Sequence, residues 1–312
     1  TQPHVEAAGL QWRGVYPWDW HANVGFSTGY SQEERKVLVD VYMEKFREIF
    51  GYYPKSVGSW YIDAFTLDYM QREYGIEASC MCRDQYGTDG YTLWGGYWNQ
   101  AYYPSKVNAF MPAQTEDGQI PVPVFRMLGS DPVYQYDNGI GSLMQGVVTL
   151  EPVGAGNGMG GSVPGWVDWY LEMMAKGECL AFNYIQAGQE NSFMWDRMRE
   201  GYEYQIPAIR KMIDEGLLVE ATLSECGRWF RDNFKLTPAT SVVAGDDFLK
   251  SAKRSIWYDS RFYRANLFWD GADFRFRDIH FFDERKKSDY YDRAGTTTDC
   301  RFTTLPLVDG YL

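Results

Sequence analysis

The chain is poor in the side chains from which most metal and redox centres are built. It has three histidines and five cysteines among 312 residues. No His-Glu-x-x-His segment occurs, and Cys80 and Cys82 lack a second ligand pair or a nearby histidine. A zincin protease and a tightly held structural zinc are therefore not expected. Five cysteines cannot all pair within the chain, and free thiols are the expected state. No run of 18 apolar residues is present, so no membrane-spanning helix is expected. No basic stretch followed by an apolar one opens the sequence, so no secretory leader is visible. No Gly-x-Gly-x-x-Gly opens a βαβ unit, and the glycine run 154–161 lacks the Lys-Ser/Thr ending of a phosphate-binding loop. A Gly-x-Ser-x-Gly elbow is missing too. Nucleotide enzymes and ordinary esterases are disfavoured. With 42 acidic against 30 basic residues the net charge is -12, which disfavours a nucleic-acid partner.

What the chain does have is aromatic rings. Twelve Trp, 24 Tyr and 18 Phe make up 17% of it. Flat amphipathic rings suit the apolar face of a sugar, so an oligosaccharide or polysaccharide is the expected partner. A large aromatic core is the competing use of the same residues.

Helical and strand-like segments alternate. Ser31 and Glu34 form a capping-box pattern before Val39, Tyr42, Met43, Phe46, Ile49 and Phe50 at helical spacing, with Gly51 as the stop. A buried strand over 56–60, a helix over 63–74 ended by Gly75, and a strand over 76–82 follow. This rhythm predicts a parallel sheet with helical crossovers. Residues 84–162 are rich in Gly, Tyr, Pro, Asn and Asp and read as a long aromatic excursion, with short strands near 122–126 and 147–150. The alternation resumes with a helix over 164–176, a strand over 179–185, a helix over 195–215, a strand over 217–222 and a helix capped by Ser224 through Phe234. Short aromatic alternations then fill 241–282 and predict antiparallel strands. The expected organisation is a (β/α) barrel-like catalytic domain over 1–238 and a β-rich C-terminal domain over 239–312, which the sequence leaves open as truncated.

The helix over 31–50, Gly51-Tyr52-Tyr53-Pro54, the buried strand 56–60 and the helix to Gly75 resemble the polysaccharide deacetylase superfamily and related glycoside hydrolase (β/α) barrels. The resemblance covers about residues 17–83, with a looser echo over 178–234. It implies an α/β fold, an irregular (β/α) barrel with a C-terminal antiparallel β-rich region, and a hydrolase acting on carbohydrate.

In such a barrel the reactive groups follow the strands. Asp63 follows strand 56–60, Asp84 follows 76–82, Gln189 and Glu190 follow 179–185, and Glu225 follows 217–222. Glycosidic cleavage requires one protonated and one ionised carboxyl across the scissile bond. Glu190, beside Phe193 and Trp195, is the expected acid, because an apolar wall raises a carboxyl pKa. Asp84, flanked by Arg83, Gln85 and Tyr86, is the expected ionised partner, and Asp63 with Glu225 is the second pair. Trp20, His21, Trp60, Trp94, Trp98, Asn99, Tyr103 and Gln189 are the expected substrate contacts. Each has an ordinary structural use as an alternative: a helix cap for Asp63, first-turn electrostatics for Glu225, a core ring for any tryptophan. No cofactor is expected. Two alternatives stay open: a deacetylase with a divalent metal on Asp19 or His21, and a carbohydrate-binding protein without turnover.

Overall fold

The computed structural model describes residues 2–13, 27–59, 61–81, 96–126, 129–134, 148–153, 158–188, 194–289, 291–295 and 304–309. A short helix α1 (Gln2–Ala7) precedes α2 (Gln32–Phe50). The Ser31–Glu34 box closes reciprocally at the start of α2, and Gly51 ends it in the left-handed region. Strand β1 (Ser56–Gly58), helix α3 (Ala64–Tyr74) and strand β2 (Ala78–Met81) follow in the expected order. Next come β3 (Ala101–Tyr102), β4 (Pro104–Ser105), β5 (Asn108–Pro112) and β6 (Val124–Arg126).

Strands β1, β2 and β6 are parallel neighbours, and β3 runs antiparallel along β6. Alternation along β2 divides the surroundings of this sheet. Met81 joins the core formed with Val39 and Met43 of α2 and Leu67 of α3. Cys80 joins a second core with Phe125 and Phe230 on the other face. Phe230 belongs to α6 (Leu223–Asn233), which follows α4 (Pro164–Lys176) and α5 (Trp195–Asp214).

This sheet overturns the barrel expectation. Among the described residues no sheet closes, and the order β1-β2-β6-β3 leaves an edge at each end. The segments expected to supply further parallel strands carry apolar residues but do not pair. In 179–185, Ala181 takes a φ of 57° and Phe182 N–H donates to the Leu180 carbonyl at 2.7 Å, a tight turn that breaks extended pairing. Phe182 then packs by its ring against Trp229, Phe230 and Phe234. In 217–222, Val219 is 92% exposed and no ladder forms. Both runs read as strands because they are apolar and β-branched, yet neither has a neighbouring edge to bond. The cap of α6 is Thr222, in a box with Glu225, and not Ser224.

A five-stranded antiparallel sheet occupies the C-terminal part, in the order β11-β10-β9-β8-β7. Its strands are β7 (Thr240–Ala244), β8 (Lys253–Asp259), β9 (Tyr263–Asp270), β10 (Asp273–Phe281) and β11 (Leu305–Asp309). Its buried face sets polar groups beside an apolar patch that includes Val242, Trp257 and Phe268. The buried face carries an ionic network: Arg264 grips Asp278 with two hydrogen bonds of 2.9 Å, and His280 Nε2 lies 3.5 Å from the same carboxylate. Arg264 also donates to the Gly96 carbonyl at 3.1 Å. Arg277 donates to Asn266 and to the carbonyls of Val133 and Pro132. The outer face carries rows of facing residues: Arg254, Trp269 and Phe274; Ile256, Leu267 and Phe276; Tyr263, Phe281 and Leu305. No helix among the described residues is long and apolar enough to cross a membrane.

Candidate functional site

In a parallel sheet the carboxyl ends of the strands form the edge where ligands bind, because connecting loops leave there and can diverge around a substrate. Here that edge runs across Gly58, Met81 and Arg126. Because β3 is antiparallel to β6, the residues entering β3 lie at the same edge, and Arg126 N–H donates to the Gln100 carbonyl at 3.1 Å. Trp98, Asn99 and Gln100 are thus brought beside the exits of the parallel strands.

All three are buried, and each holds a side-chain polar atom without a hydrogen-bond partner among the described residues: Trp98 Nε1, Asn99 Nδ2, and both amide atoms of Gln100. Trp98 stacks on Trp257 with centroids 4.5 Å apart and planes 7° from parallel, so that face of its ring is already covered. Its backbone N–H donates to Asp259 Oδ1 at 3.0 Å, while Asp259 Oδ2 has no partner among the described residues. Burial pushes the Asp259 carboxyl up to about 8, outweighing the Trp98 N–H and the Arg264 charge, which pull it down. Asn99 takes a φ of 46° and accepts from Ser130 N–H at 3.4 Å.

Beyond β6 the chain turns on Asp131. Its carboxylate accepts from Val133 N–H at 2.8 Å, Tyr134 N–H at 2.9 Å and Trp166 Nε1 at 2.9 Å. Burial raises its pKa, while these donors and Arg277 oppose the rise. Gly129, just before this turn, has no room for a side chain, because a Cβ there would meet the Tyr170 hydroxyl. The edge therefore combines a rigid wall with an amide- and indole-lined set of donors suited to hydroxyl groups.

The expected site residues are distributed unevenly. Asp63 is buried and caps α3, accepting from Thr66 N–H at 3.0 Å and Thr66 Oγ1 at 2.5 Å. It also pairs with buried Arg35 at 3.1 Å. Glu225 is exposed and completes the box on α6, accepting from Thr222 N–H at 2.8 Å and Thr222 Oγ1 at 2.6 Å. The Thr222 hydroxyl and N–H hold its carboxyl below the ordinary range. Each carboxylate serves the start of its own helix. Tyr103 is a core ring edge-on to Phe230, and its hydroxyl donates to the Phe234 carbonyl at 2.9 Å. Burial pushes its pKa up to about 12. Trp20, His21, Trp60, Asp84, Trp94, Gln189 and Glu190 lie outside the described residues.

Asp131 and Asp259 were not singled out by the sequence. Asp131-Pro132 just after the β6 run was the available signal for the first. Nothing local marks Asp259, whose partner Trp98 is 161 residues away. Among the described residues no group of three or more His, Cys, Asp or Glu is arranged to hold a metal ion. Asp19 and His21 lie outside that set. Cys80 is a buried free thiol whose pKa burial pushes up to about 12.

No family model matches the chain, and no curated protein sequence matches it. A solved structure from Parabacteroides distasonis, provisionally described as a glycoside hydrolase/deacetylase, matches with a TM-score of 0.62 at 16% identity. The match covers 83% of this chain and 63% of that one, so the chain spans under two thirds of its relative's length. At that identity the likeness is one of α/β fold alone.

Proposed function

We propose that the protein is a carbohydrate-active hydrolase that cleaves glycosidic bonds at the carboxyl edge of β1, β2 and β6. The observation that carries this reading is the Trp98-Asn99-Gln100 segment, buried at that edge with indole and amide groups that have no partner among the described residues. Unpartnered buried polar atoms are costly, and a ligand rich in hydroxyls would satisfy them. The fold shared with the Parabacteroides distasonis protein supports the same substrate class.

In this proposal Asp84, three positions beyond the last residue of β2, is the ionised carboxylate. Glu190, ahead of α5, donates a proton to the leaving oxygen. Trp20, Trp60 and Trp94 supply sugar-facing rings, while His21, Asn99 and Gln189 read hydroxyls. Trp98 contributes its N–H rather than a ring face. Asp63 and Glu225 form the second pair to be tested.

The test is turnover of an oligosaccharide panel, followed by release of reducing ends and, separately, of acetate. Asp84→Asn and Glu190→Gln are each expected to reduce glycosidic turnover by about 10²-fold or more with little change in melting temperature. Near-native turnover by both variants would remove the pair from the mechanism. Acetate release that depends on added divalent metal would replace glycosidase by deacetylase.

A further inference from the structure

One face of the C-terminal sheet buries charged groups beside Trp257 and Phe268, and the other exposes rings. Phe274, Phe276 and Phe281 are 50%, 49% and 44% exposed, although each has an apolar or aromatic residue opposite it on β9. An isolated exposed ring is unremarkable, but an extended apolar face marks an interaction surface. Phe274 meets both Trp269 and Phe276 along it, and Tyr263 meets Phe281 edge-on.

We propose that this outer face is the interface of a two-fold symmetric homodimer, the sheet of one protomer packing face to face on that of its partner. Composition points to a protein occupant and not to a sugar. The central rows present Phe276, Leu267, Ile256 and Ile279, with Tyr258 the one polar-tipped side chain among them, a composition too apolar to read hydroxyls. Area points to a second copy of the same face. A half-exposed aromatic side chain offers roughly 100 Å². The exposed rings, Leu305 and the partly covered residues between them offer on the order of 700 Å², close to what one partner contributes to a standard interface. Charge lies at the border, where Arg254 stands over Trp269, as expected for a polar rim around an apolar centre. Stacked sheets lie about 10 Å apart, a spacing that lets the rows interdigitate.

The test is sedimentation velocity across about 1–100 μM, with far-UV circular dichroism and melting temperature as folding controls. The wild type is expected to sediment as a dimer at the upper end of that range. The Phe274→Ser/Phe276→Ser/Phe281→Ser variant is expected to remain monomeric with an unchanged spectrum. Should that variant fail to fold, Phe276→Ser alone supplies the readout, with an expected rise of at least about 10-fold in the dimer dissociation constant. A wild type that is monomeric at about 100 μM overturns the proposal, including one that binds a glycan or a different protein through this face. A dimer that survives the folded variants intact overturns it equally.

Discussion

Asp259 shows how far burial alone can move a carboxyl. It receives one backbone N–H, from Trp98, and lies near Arg264, yet the loss of water dominates and its pKa reaches about 8. In the unfolded chain the same group titrates near ~3.9. Between those values the unfolded state has released a proton that the native state retains. Stability from this residue is therefore complete below about pH 4 and is lost as pH rises towards 8, by an amount on the order of a few kcal/mol. Asp259→Asn keeps an acceptor for Trp98 N–H and removes the titration. Thermal melts from pH 4 to 8 should show the variant more stable than wild type at pH 8, the gap closing towards pH 4. Parallel profiles for the two proteins would show that Asp259 is ionised in the native state. Asp63 is as deeply buried and both accepts from Thr66 and pairs with Arg35. Removing it would leave the Arg35 guanidinium its carbonyl partners but take away this carboxylate, a change that costs about 3–5 kcal/mol.

At the scale of elements, α6 lies tightly against β2. A Cβ on Gly227 would lie 2.6 Å from Ala78 Cβ and 2.7 Å from the Glu77 carbonyl. Neither neighbour is a flexible side-chain end, so Gly227→Ala must push the helix from the sheet. A loss of about 1–3 kcal/mol in urea unfolding is expected, and an unchanged midpoint would mean that α6 can shift freely. The sequence revealed this helix but not its seat. Helices were readable because their ends are local chemistry: Ser31 with Glu34, Gly51, Pro164 and Gly75 announce themselves within a few residues. Even there, Ser224 was the cap expected from the sequence, and the reciprocal box with Glu225 makes it Thr222. Strands were less readable, because a strand requires a neighbour that a short apolar run does not specify. Residues 179–185 and 217–222 have the composition without the neighbour, and the barrel inferred from them does not close. Of the candidate site, Trp98 and Asn99 were named from the sequence as expected substrate contacts. That the Trp98 ring would be spent on Trp257 was not legible, since the two are far apart in sequence.

At the scale of the molecule, the C-terminal sheet ties distant parts of the chain together. The aromatic alternations over 241–282 predicted antiparallel strands but not which groups they would bury. The structure turns inward Arg264, Asn266, Asp278 and His280, all of them buried, beside Trp257 and Phe268. Most of their partners lie within the sheet, but Arg264 also donates to the Gly96 carbonyl, and Arg277 beside Asp278 donates to the carbonyls of Pro132 and Val133. A fragment comprising 239–312 would lack those carbonyls. It is expected to show no cooperative melting transition by calorimetry, whereas a sharp transition would mark the sheet as an autonomous folding unit.

The same contacts bear on the order of events during folding. The hydrogen bond from Arg264 to Gly96 closes a loop of 168 residues and that from Trp98 to Asp259 one of 161. The entropy of drawing such loops shut must be met before either bond forms, so chains dominated by distant pairings fold slowly. The capped helices α2, α3 and α6 can form from local signals, while the buried charges of the last sheet find their partners only once the segments around Gly96 and Pro132 are in place. On the ribosome, residues 96–133 emerge long before 264–278. The earlier part of the chain must therefore wait with its buried carbonyls and amides unmatched until residues 264–278 have been made, and that interval is when it is most exposed to aggregation.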